Sequence, residues 1–169
     1  MKRICCLLSF ILLLQLLFGC STKDEEILQP VNFYYINAEI SYNTPNGVLG
    51  AEVREGSQFQ NIEQLLREYL RGPVSSEMVS LIPNEVTVLS CITDNDAVYI
   101  LLSSQFAELT GIKLTTACSA MLLTVNDYSG IQTIHVRAEG SSLDDKDEFI
   151  LSMDDIVLTE TVTSENTKE

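Results

Sequence analysis

The chain has 169 residues, which suits one domain with appendages, and a formal charge of −14. That charge argues against nucleic acid, whose phosphates need a basic face, and against a direct electrostatic hold on anionic lipid. Tryptophan is absent and only 7% of residues are aromatic, so no aromatic-rich cleft is advertised.

Residues 1–20 read as a targeting segment. Lys2 and Arg3 form a positive end, and Ile4 to Phe18 is apolar apart from Ser9 and Gln15. The run is short for a membrane span, which needs about 20 residues. Leu17-Phe18-Gly19-Cys20 resembles a bacterial lipobox, in which the Cys becomes the lipidated first residue of the mature protein. The resemblance implies a diacylglyceryl cysteine at Cys20, bearing acyl chains such as palmitate. Two buried chains suffice for stable anchoring where one is marginal. The alternative is an uncleaved N-terminal anchor. Both place the rest of the chain outside the cytoplasm, and the lipid anchor places it on the outer face of the cell membrane.

Residues 21–30 are a polar tether. A first strand is expected over Val31 to Ile36, a turn over Asn43 to Gly47, and a second strand over Val48 to Arg54. A helix follows, with apolar residues at Ile62, Leu65, Leu66, Tyr69 and Leu70, the spacing of one buried face. Ser57 and Gln60 have the spacing of a capping box. Glu63 lies four residues before Arg67, a favourable outer-face pair. Gly72 supplies a left-handed stop and Pro73 cannot continue the helix. Ile82 is held extended by Pro83. Val86, Val88, Leu89 and Ile92 predict a buried strand, and Thr93 to Asp96 its turn. Ala97 to Leu102 predicts a second central strand, with Ser103 to Gly111 irregular or briefly helical.

A second helix is expected from about Lys113 to Tyr128, its stripe running Leu114, Ala117, Cys118, Met121, Leu122, Val125 and Tyr128, with Ser129-Gly130 as its end. Ile131 to Ala138 predicts the last clear strand, with Ile134, Val136 and Ala138 on one face and Thr133, His135 and Arg137 on the other. Residues 141–169 form an acidic extension of nine acids against Lys146 and Lys168. Phe149 to Met153 and Ile156 to Leu158 are expected to add one or two edge strands, and Thr159 onward reads as a disordered tail.

The candidate chemistry is thin. Cys91 and Cys118 permit a disulfide in an exported chain, but Cys118 lies on a helix stripe and Cys91 in a strand, so free buried thiols are favoured. The only histidine is His135, within no recognisable motif, which leaves a cysteine nucleophile without a base. No zinc pattern is present, so no metal site is expected. Asp94-Asn95-Asp96 begins like a calcium loop but lacks the following Gly, and residue 105 is Gln, so a tight hairpin turn is the better reading. The acids Asp144, Asp145, Asp147, Glu148, Asp154 and Asp155 read as a solvated face. Ser103 and Ser104 have no G-x-S-x-G around them. No catalytic residue and no cofactor are expected.

The order β-β-α-β-β-α-β over about 110 residues predicts an α+β fold, a two-layer α/β sandwich with two helices on one face of a mixed sheet. The other face is then solvated or open to a partner. Within this frame Leu65, Leu66, Leu70, Gly72, Pro73, Ile82, Pro83 and Thr87 to Ser90 resemble the central motif of the GerMN domain of bacterial sporulation and germination lipoproteins. Val31 to Tyr35 resembles its opening strand. Thr124 to Val136, with Gly130, and then Ala138-Glu139-Gly140 resemble its closing helix, strand and terminus. The resemblance covers roughly residues 31–140. It implies a fold like the ring-building modules of sporulation complexes, which assemble through helix and sheet faces. It also implies a non-catalytic assembly or partner-binding lipoprotein of the envelope, with other envelope proteins or itself as partners. The other expectations are an extracytoplasmic binding module for a cell-wall fragment or small solute, and a wall hydrolase, which lacks a motif.

Overall fold

Alternate residues of β1 (Pro30–Asn37) decide how the domain closes. Val31, Phe33 and Tyr35 share one face and are 2%, 0% and 1% exposed. The computed structural model describes residues 29–39, 48–140 and 148–156. One edge of β1 pairs antiparallel with β2 (Leu49–Glu55), and its end pairs with the two-residue β3 (Met78–Val79). The strand order of this first sheet is β2-β1-β3.

The other edge of β1 pairs with β3 only at Ile36 and Asn37, and before that it meets a helix. The Tyr34 amide donates to Thr124 Oγ1 at 3.0 Å, and the Asn32 amide donates to Asp127 Oδ2 at 2.8 Å. Thr124 and Asp127 belong to α2 (Gly111–Ser129), and the buried Thr124 hydroxyl in turn donates to Ala120 O. Helix side chains thus satisfy an edge that would otherwise recruit a strand. The α+β architecture is as expected. The strands, expected in one mixed sheet, divide between two because α2 occupies this edge. Replacing Thr124 by Val keeps the shape and leaves the Tyr34 amide unpaired. The expected loss is about 1–3 kcal/mol, read by chemical denaturation.

Helix α1 (Ile62–Tyr69) buries Ile62, Leu65, Leu66 and Tyr69 as the spacing predicts. Its cap is not the Ser57–Gln60 pair. Asn61 caps it, accepting from the Gln64 amide at 2.9 Å, while Gln64 Oε1 accepts from the Gln60 amide. Gly56–Gln58 forms a 3₁₀ turn and Phe59 is extended and buried, so the helix cannot begin as early as Ser57. Ser57 instead donates to Glu55. The Arg67 Nη2 to Glu63 pair forms at 2.7 Å. Gly72 ends the turn with φ +87°, its amide bonded to Tyr69 O.

The second sheet has the order β4-β5-β6-β7. β4 (Val88–Asp94) and β5 (Ala97–Leu102) form a hairpin. β6 (Thr133–Ala138) lies parallel to β5, and β7 (Phe149–Ser152) pairs antiparallel with β6. β4 is an edge strand, not the buried central one expected. Among the described residues it pairs only with β5, and it carries a bulge between Val88 and Ser90 and leaves Leu89 and Ile92 43% and 61% exposed. Val86 is buried but precedes the strand, in a turn closed on Pro83 O. β7 is the edge strand expected within the acidic extension.

α2 connects β5 to β6, as a parallel pair requires. It packs against β1, α1, β6 and β7, so burial spreads beyond its stripe to Ala120, Leu123 and Thr124. Gly130 caps it in the left-handed region, φ +75°. Among the described residues no helix is long and apolar enough to cross a membrane. The targeting segment with Cys20, most of the tether, the Asn43–Gly47 turn, Asp144, Asp145, Asp147, Val157, Leu158 and the expected tail lie outside the described residues.

Candidate functional site

The Gly72-Pro73 turn is fixed by a charge cluster on β2. Glu52 and Arg54 share the parity of Gly50 and face inward, paired with Phe33 and Val31 of β1, while Val53 faces out at 65% exposure. The Arg54 guanidinium lies 4.4 Å over the Phe33 ring. It donates to Glu52 Oε1 at 2.7 Å, to Glu68 Oε1 at 3.4 Å and to the Gly72 carbonyl at 2.9 Å. Glu52 Oε2 accepts from the Val74 and Ser75 amides at 2.9 and 2.8 Å. Burial pushes the Glu52 carboxyl up, but the Ser75 amide, the Arg54 hydrogen bond and charge, and the Val74 amide outweigh it, and its pKa falls below the ordinary value. A strand whose apolar residue points out and whose charges point in was the available signal for this cluster, which sequence reasoning missed.

The residues of the sequence motif hold the layers together. Leu65, Leu66, Leu70 and Ile82 enter one hydrophobic core. Pro83 turns the chain toward β4 through its carbonyl bond to the Val86 amide. Gly130 and Gly140 take positive φ at the ends of α2 and β6 and do not converge with the others on a pocket. The gap between Tyr35, Tyr69, Ile82 and Ala120 holds only about 10 Å³. A wider depression of about 440 Å³, over Glu52, Arg54, Glu68 and Val74, is open surface.

Cys91 and Cys118 are free thiols. Burial pushes the Cys118 thiol up to about 12, and burial with the Glu63 charge pushes Cys91 up to about 11. Cys118 is therefore expected to resist alkylation at pH 8 in the native protein, and both thiols to react once it unfolds. Mass analysis of alkylated protein checks this. A residue-118 adduct on folded protein would contradict it.

Asp94-Asn95-Asp96 is a tight hairpin turn, with Asp94 paired to Ala97 and Asn95 at φ +50°. Among the described residues no three metal-ligating side chains gather. His135 stacks on Tyr99 with ring centroids 4.3 Å apart, and its buried Nδ1 lies 3.4 Å from Glu148 Oε1 without a directed hydrogen bond. These two rings belong to the outer face of the second sheet. There Ile92, Tyr99, His135 and Ile150 fall in one register row across β4, β5, β6 and β7. Their opposite-parity neighbours Val98, Ile100, Ile134 and Val136 form the core.

A family model named Germane, described as sporulation and spore germination, matches residues 32–144. The chain belongs to the Germane family. The matched span opens in β1 and ends before β7, so the fourth strand of the second sheet stands outside it. One solved structure shows a similar fold. The tandem GerMN domains of the sporulation protein GerM from Bacillus subtilis align with a TM-score of 0.53 and 16% identity, covering 73% of this chain and 44% of that one. The chain thus spans less than half the length of that tandem structure. The first GerMN domain of the same protein aligns with a TM-score of 0.49 and 18% identity, over 68% of this chain and 85% of that one. No curated protein matches the chain.

Proposed function

We propose that this Germane-family chain is a non-catalytic envelope lipoprotein that binds other envelope proteins during sporulation or spore germination. The family match over residues 32–144 carries the reading. The lipobox-like sequence ending at Cys20 supports a lipid anchor on the outer face of the membrane. The open outer face of the second sheet, and Val74, 85% exposed beside the held Gly72-Pro73 turn, support a binding reading.

Chemical cross-linking of the anchored protein in its own envelope, with linked peptides identified by mass spectrometry, tests it. Links to other envelope proteins, concentrated on one face, are the expected result. Recovery of the chain with no protein neighbour would overturn partner binding.

A further inference from the structure

The outer face of the second sheet is apolar along a line and acidic at one end. A sheet with one core face and one solvated face ordinarily puts polar residues on the solvated one. Here Ile92, Tyr99 and Ile150 are 61%, 40% and 55% exposed along the register row they share with His135. Tyr99 is already stacked on His135, so little side-chain freedom remains to be lost when a partner covers it.

The next row toward the hairpin end contains Asp94, Ala97, Thr133 and Ser152. Backbone bonds gather the adjoining turns at that end. The Asp96 carbonyl accepts from the Gln132 and Thr133 amides, and the Met153 amide donates to Gln132 O. The exposed carboxylates of Asp94, Asp96, Asp154 and Asp155 therefore line the same side of the apolar row.

We propose that this face docks a segment of a partner protein whose apolar stripe is flanked by lysine or arginine. The apolar row supplies the desolvated centre of such an interface and the carboxylates its charged rim. A second copy fits poorly, because each chain carries −14 and would bring a like rim. An anionic membrane surface is repelled by the same acids. This inference rests on the partner-binding reading above and names the surface and the partner's chemistry.

The test places a photo-reactive phenylalanine analogue at Ile92 or Ile150 of the full chain in its native cells. Parallel chains carry it at Val53 or Ile112, which are exposed elsewhere. Links from positions 92 and 150 are expected to reach protein peptides with apolar residues flanked by Lys or Arg. Combining Asp94→Asn, Asp96→Asn and Asp154→Asn is expected to lower their yield about tenfold. Asp155 is left in place because it caps the turn after β7 by accepting from the Ser152 amide. An unchanged thermal melt of the triple variant keeps the comparison fair. Links to a second copy, to lipid or to glycan, or a yield indifferent to the three substitutions, would overturn the proposal. Protein links from Val53 or Ile112 alone would overturn this face and leave partner binding standing. No protein link from any of the four positions would overturn both.

Discussion

Replacing Arg54 by Ala is expected to cost about 1–3 kcal/mol, because it leaves a half-buried carboxylate without its cation. The Arg54 side chain is 9% exposed and its partner Glu52 13%. Without the guanidinium, Glu52 keeps only its two backbone donors, the Gly72 carbonyl loses its partner, and the Phe33 ring loses the cation above it. Small domains have about 5–15 kcal/mol of stability in total, so a loss of that size is readily measured. Arg54→Lys keeps the charge but not the planar fork that spans Glu52, Glu68 and Gly72, and it is expected to recover only part of the loss. The pH dependence has a definite sign. Glu52 has a lowered folded pKa, so its contribution is full above the ordinary carboxylate value and disappears as pH falls through the lowered one. That acid-side loss is expected to shrink in the Ala variant. Urea denaturation across pH measures both effects, and a loss under about 1 kcal/mol would place the cluster among surface ion pairs.

Phe33→Ala is the second large effect, about 3–5 kcal/mol. Phe33 is fully buried, with Phe59 and Tyr69 ring centroids at 5.6 and 6.3 Å. Removing it opens a cavity between β1 and α1 and exposes the Arg54 cation to an empty space. The two substitutions share that contact, so the double variant is expected to lose measurably less than the sum of the single losses. Strict additivity by denaturation would show that the guanidinium gains nothing from the ring. Phe33→Leu retains much of the apolar volume and mainly removes the aromatic contacts, worth about 0.5–1.5 kcal/mol.

Local signals in the sequence were legible where the structure answers to local chemistry. The α1 stripe, the left-handed Gly72 and Gly130, the Asn95 turn and the alternation of β6 all depend on neighbours a few residues away. The α1 cap did not. Ser57–Gln60 and Asn61–Gln64 offer equal spacing, and the choice falls to Phe59, which must be extended to pack edge-on against Tyr128 and give its carbonyl to the Tyr128 hydroxyl. β4 misled for a related reason. Its apolar residues fall at both parities, as in a buried strand, but Leu89 and Ile92 lie on a strand that, among the described residues, pairs with β5 alone. The division into two sheets was hidden in Thr124 and Asp127, polar residues on a helix that do the work of a neighbouring strand. The Glu52–Arg54 cluster was half visible. The inverted parity of Leu49–Glu55 shows in the sequence, but the carbonyl and amides it holds come from a turn some twenty residues later.

The proposed role in sporulation or germination is tested most directly by counting heat-resistant spores and germinating spores in a strain lacking this chain. A defect in one of the two counts is expected, restored by the full chain and not by a Cys20→Ala chain. Sporulation and germination at the parental level without the protein would contradict it.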